Sequence, residues 1–156
     1  MNHKQKYQEQ LERLCRWYKR FELINQGVPH MCSSDYYIDD IYAFFLNCYH
    51  LKDWIINDDG IQINKNMVEH FINQNYCMKV CADICNGIKH LKLSRSRSGK
   101  QPEFESKHFN LTINGKTFPI IAVKLHVETE KGKIDAFELA KECLEKWKDF
   151  IKTYIR

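Results

Sequence analysis

Two hydrophobic periodicities divide this chain, and their order restricts the folds that it can adopt. Through residues 1–93, apolar side chains recur at intervals of three and four, which is the spacing of amphipathic helices. Over residues 106–129 they alternate instead, on either side of an Asn-Gly pair typical of a hairpin turn. A helical pattern returns over residues 135–155. This order predicts an α+β fold in which a four-helix bundle is followed by a β-hairpin and a C-terminal helix.

Caps and breakers set the expected helix boundaries. The first helix is predicted over residues 4–25 and the fourth over residues 76–93. The second, capped by Ser34 and ending near residue 56, is apolar around most of its circumference and is therefore placed centrally. An Asn-x-x-Glu variant of the capping box predicts that the third begins near Asn66.

The alternating segment predicts two strands joined at Asn114-Gly115 by a tight type I′ turn. The outgoing strand places Phe109, Leu111 and Ile113 on one face. The returning strand is expected from about residue 117, and Pro119 near its start favours an edge position because proline cannot donate to a ladder.

Size and composition limit the class of protein. The 156 residues suit one domain, with residues 94–105 as a basic loop between bundle and hairpin. A net charge of +4 permits an anionic partner without requiring one. The seven cysteines, an odd number, favour free thiols in a reducing compartment. Without a signal-like or membrane-spanning segment, we expect a cytoplasmic protein with no membrane partner.

Three cysteines in the fourth helix raise the question of a metal site. Cys77, Cys81 and Cys85 follow each other at steps of four, on the same side as the apolar residues of the helix. They lack the Cys-x-x-Cys spacing common in zinc sites, and buried cysteine behaves as a small hydrophobe. The sequence therefore predicts core packing here, with no metal and no cofactor.

The opposite side of that helix carries a polar stripe. Asn86 and His90 lie on it, and a histidine can exchange a proton near neutral pH. The second helix has a similar strip with His50 and Asp53 three residues apart, so that the carboxylate can orient the imidazole. These four residues are the candidate catalytic set, although both stripes would also suit faces turned to solvent.

A run of cations follows the stripe of the fourth helix. No acidic residue interrupts it, and its spacing suits contacts with nucleic-acid phosphates. The candidate nucleic-acid-binding residues are Lys89, Lys92, Arg95, Arg97 and Lys100. The segment SRSRSGK is also compatible with a mobile, solvated loop.

The segment Cys85-Asn86-Gly-Ile-Lys-His90 resembles the motif of the HEPN (higher eukaryote and prokaryote nucleotide-binding) superfamily, in which four to six residues separate an arginine from a following histidine. His90 and Asn86 match, whereas Cys85 stands in the place of the arginine. The segments HLKDW and NGIKHLKL also resemble a bacterial family with helices followed by a hairpin, to which no activity is assigned.

The resemblance implies metal-independent RNA cleavage, in a defence or toxin context, at a site built across a homodimer. His90 would transfer the proton, His50 would be a second acid or base, and Asn86 would position the phosphate. The residues leave open an alternative without catalysis, in which the basic loop and the edge of the hairpin bind nucleic acid or another protein.

Overall fold

The computed structural model describes residues 5–115 and 117–155, and it is an α+β structure with five helices and an antiparallel sheet. The predicted α+β class is confirmed. In chain order the elements are α1 (Lys6–Gln26), β1 (Val28–Pro29), α2 (Ser34–Ile56), α3 (Lys65–Gln74), α4 (Tyr76–His90), β2 (Glu103–Thr112), β3 (Ile120–Thr129), β4 (Gly132–Asp135) and α5 (Ala136–Tyr154).

Helix α2 lies at the centre of the fold, as its apolar circumference predicts. It contacts each of the other four helices, and buried side chains occur along its length from Tyr37 to Ile55. A single hydrophobic core joins residues of all five helices to those of β1 and β3. No described helix is long and apolar enough to cross a membrane.

The helix caps lie slightly upstream of the predicted positions. Ser33, rather than Ser34, caps α2 by accepting a hydrogen bond from Asp35 N at 3.4 Å. Asn64 caps α3 through Asn66 N at 2.9 Å. A short polar side chain accepts from an amide two or three residues ahead, so the cap must precede the first helical residue. Asp135 caps the last helix by accepting hydrogen bonds from Phe137 N and Glu138 N.

Strand β3 is the centre of the sheet, and the edge position predicted for it is wrong. It pairs with β1, β2 and β4, all antiparallel. Pro119 precedes the first paired residue, Ile120, so its missing N–H removes nothing from the ladder. Every second side chain of β3 is buried, and the strand packs against α1 and α5.

The connection between β2 and β3 is longer than the predicted two-residue turn. The last pair of the ladder is Thr112 with Ile120, so residues 113–119 form a loop, of which 116 lies outside the described residues. Asn114 Oδ1 accepts from Thr117 N at 3.2 Å, and Gly115 has a φ of 73°. Phe109, Leu111 and Ile113 are exposed, and their neighbours on the opposite face are exposed too.

Candidate functional site

A cleft between α2 and α4 brings together three of the four candidate catalytic residues. His50 and Asp53 reach it from α2, Asn86 from α4, and its volume is about 340 Å³. The two helices are in contact along this stretch, so the two polar stripes predicted from the sequence meet at one groove. Lys89 also lines this cleft.

His90 lies in a second cleft, of about 560 Å³, formed where α4 ends. Lys92 and Arg95 of the following segment line it together with Asn86. Asn86 is therefore common to both clefts, whereas His50 and His90 line different ones. The four candidate residues form a row across two adjoining clefts instead of one closed site.

Cys85, which stands where the HEPN-like motif has arginine, faces the first cleft. Its Sγ lies 3.7 Å from His50 Nε2. Burial, followed by the charges of Cys48 and Asp53, raises the pKa of this thiol to about 11. Cys85 is thus a neutral thiol near pH 7, able to contact the imidazole but unable to supply the positive charge of an arginine.

Arg97 is less available for phosphate than its place in the cationic run suggests. Its Nη1 lies 3.0 Å from Glu69 Oε2, and Lys52 Nζ lies 3.0 Å from Glu69 Oε1. Both cations also stand over the ring of Tyr49. Although burial opposes it, the hydrogen bonds from Lys52 and Arg97 lower the pKa of Glu69, which keeps the carboxylate charged. The charge of Arg97 is already paired within the fold.

The other four cations of the run are exposed. They are Lys89, Lys92, Arg95 and Lys100. Within residues 5–115 and 117–155, none of them forms an ion pair. Three of these four line the two clefts, so positive charge borders the row of polar residues.

The loop after α4 is held by Asp83, which precedes Asn86 by three residues on the polar stripe of that helix. Asp83 is only 1% exposed. Its carboxylate accepts from Ser96 Oγ at 2.7 Å, Arg97 N at 2.9 Å, and both N and Oγ of Ser98 at 2.7 Å. The interpretation of this segment as a mobile, solvated loop is therefore wrong for residues 96–98. In the sequence, only the two serine hydroxyls, Ser96 and Ser98, could have indicated this contact with Asp83.

A side chain further along the loop fastens its two ends. Gln101 Oε1 accepts from Leu93 N at 2.8 Å, and Gln101 Nε2 donates to Leu91 O at 3.0 Å. Lys92 and Arg95, which line the second cleft, are consequently carried on backbone anchored at both ends. Fixed backbone lowers the entropy lost when such side chains engage a ligand.

The cysteines of α4 occupy its apolar face, as predicted, and all three are buried. They do not converge on one another. Cys81 instead meets Cys48 of α2 and Cys143 of α5, with the three sulfur atoms within 4.8 Å of one another. Burial raises the pKa of Cys48, but hydrogen bonds from Cys143, Cys81 and Trp147 outweigh it and lower that pKa to about 5.

Comparison with known proteins gives no relative for this chain: no protein-family model, curated protein or solved structure matches it.

Proposed function

We propose that this chain is a HEPN-like protein directed at RNA, with the two adjoining clefts as its binding surface and α1 to α4 as a helical bundle of the HEPN kind. One observation carries the proposal: residues picked from two separate stripes, His50 with Asp53 and Asn86 with His90, lie in clefts that share Asn86. Exposed cations border the same surface.

The chemistry that suits these residues is transesterification. The ribose 2′-hydroxyl attacks the adjacent phosphorus, one histidine takes the hydroxyl proton, and another acid protonates the departing 5′-oxygen. His90 and His50 are exposed imidazoles on the two sides of Asn86. The Asn86 amide donates to a phosphate oxygen between them, and Asp53, three residues after His50 on α2, orients that ring.

Positive charge for the phosphate must come from outside the motif position, because Cys85 carries a neutral thiol. Lys89 lines the first cleft and Lys92 and Arg95 line the second, and none of the three is ion-paired with another described residue. Cations brought from the rim stabilise a pentavalent phosphate less than a buried, bidentate arginine does. We therefore expect weak cleavage relative to a site with the complete motif.

Cleavage is tested with end-labelled RNA incubated in EDTA. His90→Ala and His50→Ala should each slow cleavage by about 10²–10⁴-fold, the usual contribution of a general acid or base. His70→Ala is the matched control, because His70 is exposed on α3 and lines neither cleft. Equal rates in wild type and all three variants would remove both histidines from the mechanism.

Binding without cleavage is the second candidate function, and it is favoured by the neutral thiol of Cys85 together with the exposed cations that border the clefts. Affinity for single-stranded RNA is measured against salt concentration. Combining Lys89→Ala, Lys92→Ala and Arg95→Ala should reduce the slope of log affinity against log salt by about 2, since each phosphate contact contributes about 0.7.

A variant with the same loss of charge elsewhere serves as the control for this experiment. Lys141, Lys148 and Lys152 are exposed on α5, away from both clefts, and replacing all three by alanine should leave the slope unchanged. Equal slopes for the two triple variants would show that RNA does not sit at the clefts. The homodimer that the HEPN resemblance implies is tested separately, by measuring the molecular mass of the protein in solution with and without RNA.

A further inference from the structure

Three thiols from three different helices meet in the core. Cys48 of α2, Cys81 of α4 and Cys143 of α5 are each fully buried, and their sulfur atoms lie within 4.8 Å of one another. Two of the thiols donate hydrogen bonds to backbone oxygens: Cys81 Sγ to Phe45 O at 3.6 Å, and Cys143 Sγ to Cys77 O at 3.4 Å. The cluster therefore lies in the core where α2, α4 and α5 meet.

Other buried cysteines of α4 give a measure of how particular this arrangement is. Cys77 and Cys85 have the same residue type and nearly the same burial, yet neither joins the cluster. Packing of small apolar side chains would not require the sulfur atoms to face each other. The structure thus distinguishes Cys81 from its two neighbours on the same helix face.

We propose that Cys48, Cys81 and Cys143 are the ligands of one thiophilic d¹⁰ metal ion, Zn²⁺ or Cu⁺. Bonds of about 2.3 Å from such an ion to three sulfur atoms place those atoms about 4 Å apart. The sulfur atoms within 4.8 Å of each other need to approach by less than an ångström. Small rotations of the cysteine side chains are sufficient for this.

The ligand set selects the class of metal. Three sulfur atoms without a carboxylate or an imidazole suit soft ions and exclude Mg²⁺ and Ca²⁺, which prefer oxygen. Because an uncompensated charge is costly in the core, a neutral complex is favoured. Zn²⁺ held by two thiolates and one thiol is neutral, as is Cu⁺ held by one thiolate and two thiols. The protons of the thiols that ionise pass to solvent as the ion binds.

The position of the cluster indicates a structural role for the ion. It would join α2, α4 and α5 at one point, and α2 and α4 are the helices that form the first cleft. Because all three thiols are fully buried, the site is closed to water and leaves no open position for a substrate. Metal binding therefore contributes to folding, and the ion takes no part in the chemistry proposed for RNA.

Metal retention by the refolded chain tests the proposal. The full chain is unfolded with reductant and refolded with one equivalent of Zn²⁺, of Cu⁺ or of Mg²⁺, then separated from free metal and analysed by mass spectrometry. Wild type and the control Cys77→Ala should retain about one Zn²⁺ or Cu⁺ per chain and no Mg²⁺. Cys48→Ala and Cys143→Ser should retain at least about tenfold less of either soft ion.

Two results would overturn the proposal: wild type that retains neither soft ion, or Cys48→Ala that retains as much as wild type. Because these variants can fail to fold, wild type alone also gives a decisive reading. Co²⁺ added during refolding should produce thiolate-to-cobalt charge-transfer absorption, and the bound ion should raise Tm by about 5 °C or more. Absence of both changes would equally refute the metal site.

Discussion

Asp83 is the residue whose role depends most on structure. Its buried carboxylate accepts four hydrogen bonds from the segment 96–98, which satisfy its lone pairs. Nothing about its spacing in the sequence separates it from Asn86 and His90, which share its stripe and stay accessible. The stripe specifies a polar side of α4, whereas the covering loop decides which part of that side faces water.

Asp83→Asn should lower the free energy of unfolding by about 2–4 kcal/mol. An amide offers one acceptor oxygen where the carboxylate offers two, and its NH₂ group would face the N–H and O–H donors of the segment 96–98. Urea unfolding gives the value. The same change should speed trypsin cleavage after Arg95 and Arg97 as the loop loosens.

Asp53→Asn is the control for that substitution. Asp53 is exposed on α2 and anchors no segment through its side chain within the described residues, so its replacement should alter stability by less than about 0.5 kcal/mol. Equal losses in the two variants would show that the anchoring of the loop by Asp83 contributes nothing to stability.

Glu69 predicts a pH dependence of stability at the residue scale. Its pKa is lowered in the folded chain by Lys52 and Arg97, against the effect of burial, from an ordinary value of 4.5. The resulting stabilisation is present above pH 4.5 and is lost as pH falls through the lower folded value. Partial exposure and salt screening limit it to about 1 kcal/mol or less.

The comparison of wild type with Glu69→Gln isolates this effect from other carboxylates. Wild type should be more stable than the variant at pH 7, and the difference should shrink toward zero near pH 3. Urea midpoints at both pH values measure it. A difference that stays constant with pH would contradict the assignment of the ion pair.

Among the elements, the helices follow from the sequence more closely than the sheet does. Periods of three and four located α2 to within a residue at each end, because a long amphipathic run allows little choice. Strand β1 has two residues and β4 has four, and neither shows an alternation that could be recognised. Their pairing with β3 depends on where segments distant in the sequence lie in the fold. Because these two partner strands could not be recognised, Pro119 wrongly indicated that β3 lies at the edge of the sheet.

The end of α4 carries a prediction of its own. Leu91, which follows the helix, has a φ of 63° and is 87% exposed, so a branched residue occupies backbone that favours glycine. Left-handed backbone costs an L-residue about 1–2 kcal/mol, only partly offset by the greater freedom of glycine in the unfolded chain. Leu91→Gly should therefore raise the free energy of unfolding by about 0.5–1 kcal/mol.

Lys92→Gly is the matched control, because Lys92 is the next residue, is also exposed and does not have a positive φ. Glycine there gains nothing in the folded state and should lower stability. Chemical denaturation of both variants decides the matter. A loss in Leu91→Gly as large as that in Lys92→Gly would show that no strain is relieved at the helix end.

For the molecule as a whole, contacts between helices decide which sequence signals become a site. His50, Asp53 and Asn86 come together because α2 crosses α4, which the two separate stripes could suggest but not establish. His90 shares the stripe of Asn86, yet it lies at the helix end and lines the next cleft. No spacing rule applies to the cysteine cluster, because its members belong to three helices separated along the chain.

One core shared by all five helices predicts one cooperative unfolding transition. Trp147 reports on it, since its ring is fully buried and its Nε1 donates to Cys48 O at 2.9 Å, which ties α5 to α2. With Trp17 and Trp54 replaced by phenylalanine, fluorescence follows Trp147 alone, while far-ultraviolet circular dichroism follows all helices. The two urea transitions should coincide in midpoint and slope. A fluorescence transition that precedes the loss of helix would mean that α5 detaches from the core while α1 to α4 remain folded.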